Sequence, residues 1–352
     1  MKLTRLLLTA AIAASAASLS LGTEAAATPK RLGKEKAFDA YDKIIVQNLQ
    51  DQTLGRIKDL GVDLINGRIV EVLITSDSSL DVAGKIVAVP PLALAPDPAN
   101  DVYRLDVSTD TFKSAAGIDL SRWVDAGRSD RVAAAYRHFG RETYFLDEGD
   151  PANPRDARPK VALGYVERAS KLVDLPVGNF QGDKFGKVWS LTLDLPKGRI
   201  LNVIILSPGN LETKSIVPAM SLAFNATRDA LLLDDTKAEF ADQPKYIYHA
   251  AAYGNDATSH EKSYKGPHTH VALEQGSSYF DIDRTVRISR DIRAAKIGSR
   301  NVEVGTVDGR VTVRGWVNTE ADKARILALA VAASRLEVVD DQISVGRPVA
   351  VK

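Results

Sequence analysis

The chain has 352 residues, length for two or three domains, and its 45% apolar and 26% charged content excludes collagen-like, coiled-coil and wholly disordered proteins. It contains no cysteine, which excludes a disulfide framework, a thiolate metal site, a cysteine nucleophile and a lipid-modified N-terminal cysteine. Charge is nearly balanced, at 46 Lys and Arg against 45 Asp and Glu, so gross attraction to nucleic acid is not expected.

In chain order, Lys2 and Arg5 precede a run of Leu, Ala, Ile and Ser from Leu6 to Leu21, and Ala25-Ala26-Ala27 offers small residues at a cleavage site. Residues 1–27 therefore read as a secretory signal peptide. The mature chain is expected to begin near Thr28 and to be periplasmic or otherwise exported. No later stretch has the apolar length of a transmembrane helix, so no span is expected in the mature chain. Thr28 to Asp42 is polar and reads as a mobile lead-in.

A repeat follows. Leu54-Gly55-Arg56-Ile57-Lys58-Asp59-Leu60 recurs as Phe185-Gly186-Lys187-Val188-Trp189-Ser190-Leu191, and Gly67-Arg68-Ile69 recurs as Gly198-Arg199-Ile200, both offset by 131 residues. Val89-Pro90 then answers to Val217-Pro218, Asp106 to Asp234 and Phe112 to Phe240, all offset by 128. Register held over so long a run marks a duplicated unit. In the first copy, Leu60, Val62 and Leu64 alternate with Asp59, Gly61 and Asp63, a strand with one buried face. Asn66-Gly67 is a hairpin signal, Ile69 to Ile74 the return strand, Ile86 to Val89 a strand stopped by Pro90-Pro91, and Val102 to Val107 the last. In the second copy, Leu191, Leu193 and Leu195 alternate, Pro196-Lys197-Gly198 turns, and Ile200 to Leu206 returns. Short strands with closely spaced turn signals predict two small antiparallel barrels.

These motifs, a glycine with a basic residue and an aliphatic after it, then Gly-Arg-Ile and Val-Pro, resemble the PRC-barrel over residues 44–112 and 168–240. The resemblance implies an assembly or binding module with no shared catalytic residues. Residues 113–167 read as a helical segment and linker, with Asp119 capping a helix start, Arg131 to Phe139 helix-compatible and Asp147 to Pro159 rich in proline and acid. Residues 241–282 read as a His- and Tyr-containing linker.

Beyond it, Thr285 to Lys296 is helix-like, Asp308-Gly309 is a second hairpin signal, Thr319-Glu320-Ala321-Asp322 is a variant capping box, and Val338 to Val345 is a closing strand. The alanine-rich helix after the cap carries Ile326, Leu327, Ala330 and Val331 as an apolar stripe. The order α-β-β-α-β, with Asp308-Gly309, Val311-Thr312-Val313, Gly315 and Val317-Asn318-Thr319 in place, resembles the BON domain over residues 283–346. The usual glycine before the last strand is replaced around Leu336. The resemblance implies an exported bacterial envelope or osmotic-stress protein, and the family is thought to bind phospholipid.

The chemistry-bearing residues are few. There is no nucleophile elbow, P-loop, dinucleotide fingerprint or paired-histidine zinc motif, so no catalytic residue is assigned and no enzyme is expected. No cofactor is implied. Four of the five histidines, His249, His260, His268 and His270, fall in one stretch, and His268 and His270 could face one side of an extended strand as metal ligands. Surface histidines in a polar linker are the plainer reading. Arg284, Arg287, Arg290, Arg293 and Lys296 recur every three residues as a slanted basic row, with Val286 and Ile292 beside them. Arg287, Arg290, Arg293 and Lys296 are the candidate contacts to anionic headgroups. A solvated face, helped by Asp283 and Asp291, is the alternative. Trp189 is expected in a core, in phase with Leu191 and Leu193, whereas Trp316 is a candidate exposed anchor.

The expected fold class is mainly β plus α/β: two PRC-type barrels, then a BON-like domain. The expected function is non-catalytic binding of an anionic phospholipid surface or an envelope protein. Metal binding through His249 to His270 is the alternative, and an enzyme sited between the barrels a more remote one.

Overall fold

Branched aliphatics alternating with polar residues, then a four-residue turn ending in Gly67 at φ 62°, fold residues 53–76 into a long antiparallel hairpin. The computed structural model describes residues 36–38, 41, 44–123, 129–145, 161–209, 214–243, 245–246, 273–297, 302–334 and 338–346. Strands are numbered along the chain from β1 (Lys36–Ala37). The first unit comprises β2 (Ile45–Gln47), β3 (Thr53–Asp63), β4 (Arg68–Ser76), β5 (Ile86–Val89), β6 (Leu94–Asp97) and β7 (Val102–Leu105), in the spatial order β5-β4-β3-β2-β7-β6. After β8 (Val166–Arg168), the second unit comprises β9 (Pro176–Gly178), β10 (Lys184–Asp194), β11 (Arg199–Leu206), β12 (Lys214–Pro218), β13 (Leu222–Phe224) and β14 (Leu231–Leu233). Its order, β12-β11-β10-β9-β14-β13, repeats the first strand for strand.

Even the irregularities recur. One bulge inserts Lys58 as the extra residue between Ile57 and Asp59, and its counterpart inserts Trp189 as the extra residue between Val188 and Ser190. A second bulge omits Val70 on β4 and Leu201 on β11.

Two features depart from the expected antiparallel barrels. β2 pairs parallel with β7, as β9 does with β14, and neither β5 with β6 nor β12 with β13 forms a ladder, so among the described residues neither unit is a closed barrel. The units are also joined into one sheet of 15 strands. The Ile69 N–H donates to Gly198 O and the Ile200 N–H donates to Gly67 O, both at 2.9 Å, a reciprocal bridge between equivalent residues. Leading strands are exchanged too. β1 precedes the first unit but pairs with β10, through Lys36 and Leu193, while β8 precedes the second unit but pairs with β3, through Glu167 and Val62. Tyr41, expected in a mobile lead-in, is fully buried and donates its hydroxyl to Leu193 O at 3.3 Å. A single apolar core runs through both units, including Leu60, Val62 and Ile69 from one and Leu191, Leu193 and Ile200 from the other.

The first unit has cover on its other face. Helices α1 (Thr109–Ser114) and α2 (Ser129–His138) follow β7, and Trp123, Val132, Tyr136, Tyr144 and Phe145 pack on Val70 and Leu73 of β4. With this cover and the segment from Gly164 to Ser170, Asp59 and Asp63, on the face expected to meet solvent, are buried, as is Glu71 on β4. Each has partners: Asp59 accepts from the Ser170 backbone at the start of α3 (Ala169–Leu172), Asp63 from Asn66 and Gly164, and Glu71 pairs with Arg131. The second unit ends in α4 (Lys237–Ala241), opened by a capping box of Thr236 and Glu239, and β15 (Lys245–Tyr246) pairs with β12.

The C-terminal domain has α5 (Tyr279–Ala294), β16 (Glu303–Val307), β17 (Arg310–Val317), α6 (Glu320–Ser334) and β18 (Asp340–Val345), the expected α-β-β-α-β order. β17 pairs antiparallel with β16 through the Asp308-Gly309 turn and parallel with β18. Thr319 accepts from the Asp322 N–H at 3.1 Å, the expected cap of α6. Ile326 and Ala330 are buried with Ile288, Ile292, Val311, Val313 and Val317, while Leu327 is half-buried against them and Val331 is half-exposed. No helix among the described residues is long and apolar enough to cross a membrane.

Candidate functional site

Helix α5 ties the C-terminal domain to the rest. Ser278 caps it, accepting from the Asp281 N–H at 3.1 Å, and Asp281 accepts from Gly309 N at 2.9 Å and Asp308 N at 3.1 Å, which fixes the β16–β17 turn on the helix. Its first half gives Ile282 and Val286 to the core that covers β4, and its second half gives Ile288 and Ile292 to the domain's own core. The apolar residues beside the basic row are thus committed to packing and cannot enter a membrane.

Three-residue spacing on a 3.6-residue period turns the basic row around the helix. Its members accordingly meet different surroundings. Arg284 donates to Gly309 O at 2.7 Å, and Arg287 pairs with Asp283 one turn earlier. Arg293 donates to Ile65 O of the first unit at 2.8 Å, and burial lowers its pKa to about 10, with Asp63 opposing the shift. Arg290 and Lys296 are exposed. The row therefore leaves two cations in solvent and spends the others on the protein.

Arg293 also lines a cleft of about 290 Å³ where both repeats and the C-terminal domain meet. The first repeat contributes Asn66, Gly67 and Arg68, and the second Arg199, Ile200, Leu201 and Asn202. From the C-terminal domain come Ser289, Ile292, Arg293, Lys296 and Glu303, among others. Arg68 and Arg199 are repeat counterparts and pair across the β4–β11 bridge. Arg68 is 3% exposed, donates from Nη2 to Lys197 O at 2.7 Å and stacks near the Tyr144 ring. Burial lowers its pKa, Tyr144 counters this, and the Arg199 charge adds to the lowering. Arg199 donates to Leu273 O at 2.7 Å and reaches Asp194 at 3.4 Å. Among the described residues, Arg68 Nε, Arg199 Nε, Asn66 Oδ1 and Asn202 Oδ1 are buried with no hydrogen-bond partner. Such atoms are costly to bury unmatched.

Both arginines stood in the sequence within the repeated Gly-Arg-Ile, which marked the duplication but gave no sign that the two copies meet. The tryptophans sort differently. Trp123 is buried and donates to Val166 O at 3.1 Å. Trp189 is only half-buried, under Lys214 Nζ at 4.8 Å from the ring, because its bulge breaks the alternation that predicted a core position. Trp316 lies opposite Val311, Val313 and Val317, since the β17–β18 register is unbroken, and is half-buried. His249, His260, His268, His270 and Leu336 lie outside the described residues, as does all of Asp147 to Pro159. No cluster of metal-ligating side chains occurs among the described residues.

Compared with known protein families, residues 166–240 match the PRC-barrel domain and residues 281–347 match the BON domain. No curated protein matches the chain.

Proposed function

We propose that this chain is an exported, non-catalytic binding protein of the bacterial cell envelope, whose BON domain meets an anionic phospholipid surface while the duplicated β units act as scaffold. The match of residues 281–347 to the BON domain carries this reading. Exposed Arg290 and Lys296 support it, each cation near an anionic surface contributing about 1 kcal/mol. Residues 44–112 are taken as a second, divergent PRC unit, because their strands, bulges and parallel pair repeat those of the matched unit. The basic and apolar segment from Lys2 to Leu21, with Ala25-Ala26-Ala27 after it, supports export.

Co-sedimentation of the chain from Thr28 to Lys352 with liposomes tests this. Binding should require phosphatidylglycerol and weaken with salt. Arg290→Glu should reduce it at least about fivefold, the equivalent of one lost cation. Arg287→Glu and Arg293→Glu are poorer probes, because both cations already serve the fold. Absence of binding at low salt, or binding indifferent to lipid charge, would remove the membrane-surface reading.

A further inference from the structure

We propose that the three-way cleft is a binding site for a small polyhydroxylated phosphate ester, its phosphate held between Arg68 and Arg199 and its hydroxyls by Asn66 and Asn202. Charge selects the class. Arg68, Arg199, Arg293 and Lys296 line the cleft against two carboxylates, Asp234 and Glu303, and Glu303 already pairs with Arg314 at 2.9 Å. The buried Arg68 and the part-buried Arg199 guanidinium groups, at equivalent sites of a repeat, repel one another across the bridge; Asp194 at 3.4 Å from Arg199 offsets part of that repulsion, and an anion between the two groups offsets more. Arg68 spends Nη2 on Lys197 O, Arg199 spends Nη1 on Leu273 O and Nη2 on the Asp194 carboxylate, and each leaves Nε without a partner. Guanidinium N–H groups match phosphate oxygens in geometry and charge.

The asparagines refine the choice. Asn66 gives its amide N–H to the Asp63 carboxylate at 2.6 Å, so its free atom is the oxygen, an acceptor that requires a donor such as a hydroxyl. Asn202 donates to Thr192 Oγ1 at 3.3 Å and likewise leaves its oxygen free. Size sets the limit. At about 290 Å³ the cleft sits at the small end of ligand pockets, with room for a short polyol phosphate, free or as a headgroup whose acyl chains stay outside. The inference does not rest on the membrane-surface reading: Lys296 serves both, but Arg290 is not part of the cleft lining, and that reading can fail at Arg290 without affecting the cleft.

Calorimetric titration of the full mature chain with glycerol 3-phosphate, inorganic phosphate and glycerol tests it. Glycerol 3-phosphate should bind one to one, inorganic phosphate more weakly, and glycerol not at all. Arg199→Gln should weaken glycerol 3-phosphate at least tenfold. Asn202→Ala, at a half-buried position, should weaken glycerol 3-phosphate while leaving inorganic phosphate unchanged. Dibutanoyl phosphatidylglycerol distinguishes the source: preference for it assigns the site to a lipid headgroup, and preference for glycerol 3-phosphate to a free ester. No heat with any phosphate, or unchanged affinity in Arg199→Gln, overturns the proposal.

Discussion

Replacing Gly186 by alanine isolates what the repeat's first glycine does. Gly186 sits at φ 143°, a region that side chains rarely enter, and a Cβ there would lie 2.0 Å from Leu206 O on the facing strand. Gly55, its counterpart, has no such backbone angle, yet its Cβ would lie 2.2 Å from Thr75 O. Both methyl groups thus require the hairpin strands to part by about an ångström, an overpacking cost of about 1–3 kcal/mol. Gly186→Ala adds backbone strain of about 1–3 kcal/mol. The expected losses are about 1–3 kcal/mol for Gly55→Ala and about 2–6 kcal/mol for Gly186→Ala, large beside total stabilities of about 5–15 kcal/mol. Trp189, three residues from Gly186, serves as the probe once Trp123 and Trp316 are replaced by phenylalanine. Urea unfolding followed by its fluorescence reads both substitutions, because one apolar core runs through both units. A Gly186→Ala loss no larger than that of Gly55→Ala would refute the strain argument, and a loss within about 0.5 kcal/mol would refute the close-approach argument as well.

Other consequences are open to measurement. Arg131→Ala should cost about 3–5 kcal/mol, since it leaves the buried Glu71 carboxylate uncompensated, whereas Glu71→Gln should cost much less. Burial raises the Glu71 pKa, so between its unfolded and folded values the native chain holds the extra proton and wild-type stability falls as pH rises through that window. The stability of Glu71→Gln relative to wild type should therefore improve from mildly acidic to neutral pH, and a constant difference would contradict the assignment. Ile282→Ala, in the core shared by α5 and β4, should cost about 2–5 kcal/mol and increase hydrogen exchange in α5; unchanged exchange would show that the helix docks without it. Arg293→Gln should loosen the same docking by about 1–3 kcal/mol, read as faster limited proteolysis between the second unit and α5.

Local signals were readable where one chemical cause dominated. Asn66-Gly67 and Asp308-Gly309 turn where expected, Pro90 and Pro218 end the neighbouring strands, and the C-terminal order emerges as read. What escaped was non-local. Trp189 looks like a core residue until a bulge shifts the phase, and a bulge is chosen by the partner strand, not by the residue. Asp59 and Asp63 look solvent-facing until the segments around Trp123 and from Gly164 to Ser170 fold over them. The basic row reads as one surface, but its fate depends on which side of α5 meets Ile65. The cleft was hardest to foresee, because Arg68 and Arg199 lie far apart in the chain and are brought together only by the meeting of the two copies.

The traded leading strands bear on ancestry. Each unit's leader pairs in the other unit, and its Gly-Arg-Ile edge meets its own counterpart, so the contacts of the two copies are self-complementary. Two molecules carrying one copy each would satisfy each other by the same reciprocal contacts, as an intertwined homodimer does. Tandem fusion makes that partnership intramolecular and independent of concentration. It also frees the halves from identity: among the described residues, α1 and α4 follow the two units alike, while α2 and the aromatic coat packed with it follow the first.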